Sequence, residues 1–279
     1  MKILIIQEAK DENFREALCL QRAFNKLRIK SIVWGLNYPT YTLSFEDVSK
    51  DCNVLLLVEN YDNGWLPNLS SFKGLKLFWS IDSHCVIGLH SALCIKHNID
   101  IVLNSIESHS KFFKKQCYYL ANAYSDDVIY YKPEIKKTIN VGFCGNWANR
   151  ANWINCIPNI KKDISVRGEG MVNSINSYKI HFNRNIADDI NYRTFETLGC
   201  KTFLLTNETE NLSNLFAIGT HLQIYTTQND LIEKINYYLN NDQLRNTIAE
   251  NGYKHVKKNH TYLNRAERIL KIINNKLFI

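Results

Sequence analysis

From Asp188 to Glu196 the chain reads Asp-Asp-Ile-Asn-Tyr-Arg-Thr-Phe-Glu, one carboxylate and then another after seven intervening residues. A strand-like run, Thr202-Phe-Leu-Leu-Thr206, follows beyond Gly199. If a helix begins near Ile190, its first N–H groups have no partner within the helix. They then offer partial positive charge to an anion such as a diphosphate. Arg193 falls in that first turn, where a cation opposes the helix dipole, and a bound anion would explain it. Glu196 can accept hydrogen bonds from a pair of hydroxyls, each charged bond worth about 1.5–3 kcal/mol. A plainer account fits the same residues: Asp188 or Asp189 caps the helix and Glu196 is solvated.

Four other places carry residue types suited to chemistry. Gly145-Asn146 follows a strand and precedes a helix near Asn152, so backbone could approach a phosphate or sugar closely there. It lacks the full G-x-G-x-x-G pattern, and a tight turn explains it equally well. Arg167-Gly168-Glu-Gly170 follows the next strand and could wall a base, or be an ordinary glycine-rich turn. Lys179 and His181 begin a further strand; Lys179 could neutralise a leaving anion or lie on the surface. Asp82 and His84 stand just beyond a strand end, where parallel sheets bind ligands. They could orient a hydroxyl or act as general base, or Asp82 could cap the helix that runs on to His97.

These residues need elements to position them, and the periodicity supplies two series. Short apolar runs at Ile3–Ile6, Ser31–Trp34, Val54–Val58, Leu75–Trp79, Ile101–Asn104 and Tyr118–Ala121 lack strict alternation, as in strands covered on both faces. Between the first two, Glu12 to Arg28 places Phe14, Ala17, Leu18, Phe24 and Leu27 on one helical face. A second series follows, with strands at Ile139–Cys144, Ile164–Val166, Ile180–Phe182, Thr202–Leu205 and Leu222–Tyr225. Tyr130 to Lys137, with Pro133 and no periodicity, reads as a linker. Thr227 and Asp230 signal a helix start, and three helices are expected to the end. The fold class is α/β, two Rossmann-like parallel-sheet domains with a helical C-terminal tail.

Composition narrows the class. The chain has 279 residues, 45% hydrophobic and 22% charged, which is ordinary for one large or two small globular domains. No run of about 18 apolar residues is present, so no membrane span is expected. The start, Met1-Lys-Ile-Leu-Ile-Ile-Gln7, is too short for a signal-peptide core, and a cytoplasmic protein is expected. Eight cysteines form no C-x-x-C pair and lie in apolar segments, so reduced core thiols are expected. The histidines show no ligand spacing for zinc. A formal charge of +7 favours anionic ligands without requiring nucleic acid.

Three segments together resemble the CgeB-type (spore maturation protein) glycosyltransferases, a group with the GT-B architecture. They are Lys76-Leu-Phe-Trp-Ser-Ile-Asp-Ser-His84, Val141-Gly-Phe-Cys-Gly-Asn-Trp147, and the stretch from Asn191 to Asn207. His260-Thr-Tyr262 and Arg265 add to the likeness, which is fuller in the C-terminal half. The resemblance implies an acceptor-binding domain over residues 1–132 and a nucleotide-sugar-binding domain over 138–279, whose last helix returns to the first. It implies a hexosyl- or pentosyl-transferase that retains anomeric configuration, with no metal or other cofactor beyond the sugar donor. Donor contacts would come from Gly145, Asn146, Arg167, Gly168, Lys179, Arg193, Thr194 and Glu196, with Glu196 on the ribose. Asp188 would lie near the donor sugar, an aspartate where the wider pattern has glutamate, with Asp189 beside it. Asp82 and His84 complete the catalytic candidates. The first strand ends in Gln7-Glu-Ala-Lys, without the glycine-rich loop of many such enzymes, which bears on the acceptor side. The acceptor implied is a cell-surface or spore-coat polysaccharide or protein. Three rival readings are a phage-type transferase acting on modified DNA bases, a non-catalytic nucleotide or nucleotide-sugar binding protein, and a two-domain receptor for small ligands.

Overall fold

Val54–Val58 is buried at every residue, as only a strand inside a sheet covered on both faces can be. In the computed structural model, which describes residues 1–9, 16–59 and 64–277, such runs organise two units. One unit comprises Met1–Ala121 and Tyr262–Ile279; the other is Asn122–Thr261. Glu12 and Phe14 of the first expected helix lie outside the described residues.

The first unit runs β1 (Lys2–Ile6), α1 (Glu16–Lys26), β2 (Lys30–Trp34), α2 (Phe45–Ser49), β3 (Val54–Val58), β4 (Leu75–Ser80), α3 (Ser83–Lys96), β5 (Ile101–Asn104) and β6 (Gln116–Tyr119). Its described strands form one parallel sheet in the order β2-β1-β3-β4-β5-β6. α1 buries Ala17, Cys19, Leu20, Ala23 and Phe24. At Gly35 (φ +153°) a Cβ would run into the Gln7 carbonyl, so only glycine lets the chain leaving β2 pass the end of β1.

The second unit runs β7 (Ile139–Gly145), α4 (Ala151–Asn155), β8 (Lys161–Ile164), α5 (Gly168–Ser177), β9 (Tyr178–Phe182), α6 (Tyr192–Gly199), β10 (Phe203–Asn207), α7 (Leu212–Leu215), β11 (Gln223–Tyr225), α8 (Gln228–Asn240) and α9 (Asp242–Asn259). The described strands make a parallel sheet in the order β11-β10-β9-β7-β8. α8 opens as expected: Thr227 Oγ1 accepts the Asp230 N–H at 3.1 Å, and Asp230 Oδ2 accepts the Thr226 N–H at 2.8 Å. α10 (Tyr262–Leu277) belongs to the first unit, where it packs on α1 and buries Ala266, Ile269, Ile272 and Ile273.

Residues 130–137 differ from a free linker. The Asn176 side chain of α5 accepts the Lys132 N–H at 2.9 Å and donates to Tyr130 O at 3.0 Å. Lys137 Nζ donates to Asn176 O at 3.0 Å, and Lys132 pairs with Glu169. The segment is ordered irregular chain within the second unit, and the units divide after Ala121 instead. Side-chain bonds of this kind leave no periodic trace in sequence.

Candidate functional site

In both sheets the first strand lies inside the order, with the second strand on one side and the third on the other. That reversal leaves a crevice at the carboxyl ends of the first and third strands, where open parallel sheets take ligands. In the second unit those strands are β7 and β9.

The chain beyond β9 is held by a polar network. Asn183 Nδ2 lies 3.2 Å from Asn185 Oδ1, Asn191 Oδ1 and Thr206 Oγ1. The Asn185 N–H donates to Asn207 Oδ1 at 2.8 Å, and the Asn191 N–H to Asn185 Oδ1 at 3.1 Å. Thr194, fully buried, joins through its hydroxyl, which lies 3.4 Å from Asn185 Oδ1. Asn191 stands before α6 in extended conformation without a side-chain cap bond, so the helix starts two residues after Ile190.

His181 ties α6 to the sheet from beneath. Its Nε2 accepts the Cys144 N–H at 3.2 Å, and its Nδ1 meets Thr197 Oγ1 at 2.5 Å. The Thr197 hydroxyl donates to Arg193 O, so the imidazole must be the donor at Nδ1. Burial, then Arg193 and Lys137, push its pKa down to about 3, consistent with that neutral tautomer.

Three guanidinium groups meet at this edge. Arg193 Nε donates to Cys144 O at 2.9 Å, and its Nη1 is paired with Glu196. Burial works against its charge, but Glu196 outweighs it and raises the pKa. One Glu196 oxygen is left without a protein partner among the described residues. Arg150, just before α4, donates from Nε to Arg184 O at 2.9 Å and from Nη1 to Asn146 O at 3.2 Å. Burial above all, and then Arg193 and Arg184, lower its pKa, while Tyr225 and Asp189 act the other way. Arg184 lies 4.2 Å over the Trp153 ring. Among the described residues neither Arg150 nor Arg184 forms an ion pair.

The expected residues fall into three groups. Gly145, Asn146, Arg193, Thr194 and Glu196 come together at the β7–β9 edge. Gly145 ends β7, and Asn146 is exposed with its Oδ1 accepting the Ala148 N–H at 3.0 Å. Arg167 and Gly168 (φ +57°) lie past the end of β8, one strand outward. Lys179 is not brought there: Tyr178 pairs with Ile139, so Lys179 sits at the amino end of the sheet, roughly 13 Å along the strand from Asn183. Asp188 is exposed, whereas Asp189 is buried with Oδ1 3.4 Å from Asn122 Nδ2. In the first unit, Asp82 holds the N-cap position of α3 without a side-chain cap bond. Its carboxylate lies within 4.8 Å of a His84 ring nitrogen, and His84 Nδ1 is buried without a hydrogen-bond partner.

Sequence reasoning missed Arg150, Arg184 and the role of His181. The available signal was the polar run Asn183-Arg-Asn185 directly after an apolar strand.

Residues 131–271, half of the chain, match the family described as glycosyl transferase-like. The chain belongs to the glycosyl transferase-like family. This match covers the β7–β9 edge with all three arginines and does not single out the CgeB type. No curated protein matches the sequence. Among solved structures, Anabaena Alr3699/HepE in complex with UDP and glucose aligns with TM-score 0.73 at 11% identity, over 99% of this chain and 100% of that one. Sucrose-phosphate synthase from Thermosynechococcus elongatus aligns with TM-score 0.72 at 10% identity, over 99% of each chain. The T4 phage BGT in complex with its UDP-glucose substrate aligns with TM-score 0.68 at 16% identity, over 98% of this chain and 99% of that one. At these identities the likeness is one of fold, and it gives this family member the GT-B architecture.

Proposed function

We propose that the protein is a CgeB-type glycosyltransferase that moves a sugar from a nucleoside diphosphate sugar, held at the β7–β9 edge, to an acceptor. The observation that carries this reading is the meeting of Arg150, Arg184 and Arg193 beside the start of α6, with Arg193 alone ion-paired among the described residues. Crowded cations cost stability unless an anion joins them. A departing diphosphate gains charge as the glycosidic bond breaks, and fixed cations placed there lower the barrier. We assign that neutralisation to Arg150 and Arg184 rather than Lys179. The open oxygen of Glu196 suits the ribose hydroxyls, with Arg193 fixing the carboxylate in place. Asp188 or Asp189 serves the donor sugar, and Asp82 with His84 the acceptor hydroxyl. The guanidinium groups and the α6 dipole do the work a divalent ion does elsewhere, so chelation by EDTA should leave turnover unchanged. Anomeric configuration is retained in this reading; an inverted product linkage, seen by proton magnetic resonance, would refute that part.

The structural relatives named with UDP and UDP-glucose make uridine diphosphate the first nucleotide to try. Thermal shift against UDP, GDP, TDP, CDP and ADP and their sugar conjugates tests the proposal. Ligand at about 100 times its Kd should add roughly 2.7 kcal/mol of stability. The expected result is a shift selective for one nucleotide and lost in the Arg150→Ala/Arg184→Ala double variant. Absence of any nucleotide effect, or an equal effect from inorganic pyrophosphate alone, would overturn the assignment.

A further inference from the structure

α3 has an unusual outer face. Its inner side buries Ser83, His90, Leu93 and Cys94. Beyond a kink at Val86, Gly88, Ala92 and Ile95 are exposed at helical spacing on the other side, with Leu89 partly so, and Cys85 is exposed ahead of the kink. A Cβ at Gly88 would meet nothing within 4 Å, so the surface there is open. From Cys85 to Ile95 no acidic residue, lysine or arginine interrupts the stripe. Ile95 is 61% exposed. A second apolar side chain joins it: Phe112 is 46% exposed and is docked on α3 through Ser91 Oγ, which donates to Phe112 O at 3.0 Å.

Lysines rim this surface. Lys96 ends α3. Lys111 Nζ lies 5.3 Å from the Phe112 ring centroid. Lys114, exposed, and Lys115, half-buried, follow before β6. None of the four forms an ion pair among the described residues. Of the nearby acids, Asp100 has its carboxylate engaged by the Lys76 N–H at 2.8 Å, and exposed Glu107 begins the short turn of helix that carries Lys111 and Phe112.

We propose that this face of the first unit seats the protein on an anionic lipid bilayer. An apolar strip with a cationic rim is the pattern that sinks into the headgroup boundary, lysine stems lying along it and ammonium groups reaching lipid phosphates. No described helix is long and apolar enough to cross a membrane, so the contact is peripheral. A second copy is a poorer occupant, because a two-fold contact would bring the same lysines face to face. A nucleic acid is poorer too, because the centre of the patch offers phosphates no donor. The inference stands apart from the donor site.

Co-sedimentation of the full chain with phosphatidylcholine–phosphatidylglycerol vesicles, against pure phosphatidylcholine, tests it. Partitioning should require phosphatidylglycerol and weaken with salt. Lys111→Gln/Lys114→Gln/Lys115→Gln should lower it roughly 100-fold, and Ile95→Ser/Phe112→Ser at least about 10-fold. All five positions lie on or near the surface, so circular dichroism and melting temperature should match the parent. Three outcomes overturn the proposal: equal binding to neutral vesicles or none to either; a dimer by sedimentation velocity that Ile95→Ser/Phe112→Ser dissolves; or duplex DNA binding that the lysine variant abolishes while vesicle binding is absent.

Discussion

The two sheets share one strand order around their central crevice yet present opposite chemistry there. At the β7–β9 edge stand three arginines and a net of asparagine and threonine side chains. At the β1–β3 edge stand Gln7, Glu16 and Glu59, all buried, with Gln7 donating to Glu16 at 2.5 Å and accepting the Ala17 N–H at 2.9 Å. Topology therefore supplies the place where a ligand sits, and side-chain charge selects what sits there. In the proposed reading the cationic edge takes the diphosphate, whereas the carboxamide and carboxylate oxygens of the other edge offer acceptors to hydroxyls.

The sharpest way to break this contrast is to remove the central cation. Arg193→Met should lower donor kcat/KM about 10³-fold, since it takes away charge and leaves Glu196 partly buried and unpaired. Unchanged donor kinetics would mean that the cationic edge serves something else. A milder test is Glu196→Ala, expected to cost about 10²-fold in donor use with circular dichroism intact. An unaffected enzyme would return Glu196 to a purely structural pairing with Arg193. The smallest effect sharpens the contrast through pH. Native His181 stays neutral down to about 3, whereas the unfolded chain protonates near the ordinary value of about 6.5. Between those values the unfolded state binds the extra proton, so stability falls as pH drops, by about 1.4 kcal/mol per unit for one proton. His181→Gln should flatten that slope in denaturant titrations at pH 4 to 6; an unaltered slope would show that the imidazole is not held neutral.

Much of the fold was legible in the sequence because buried parallel strands are near-continuous apolar runs: Val54–Val58 and Ile101–Asn104 match the observed strands residue for residue. β8 was harder. An edge strand of sequence Lys-Lys-Asp-Ile is exposed at three of its four residues, so the apolar signal pointed past it to Ile164–Val166. The site was legible where it is local, as with Arg193, Thr194 and Glu196 within one helix. Arg150 stands more than forty residues earlier, and only the pairing of β7 with β9 brings it near. Lys179 illustrates the converse: close in sequence to β9's end, it is carried away because an extended strand moves about 3.3 Å per residue.

The return of α10 to the first unit has a consequence for biosynthesis. The second unit is one uninterrupted stretch, complete once Thr261 has been made. The first unit is begun earlier but waits for its last helix while the whole of 122–261 is translated, roughly 7–28 s at ordinary ribosomal speed. For that interval the α1 surface that α10 will cover is open to chaperones. The unit that is started first is thus the one that is finished last.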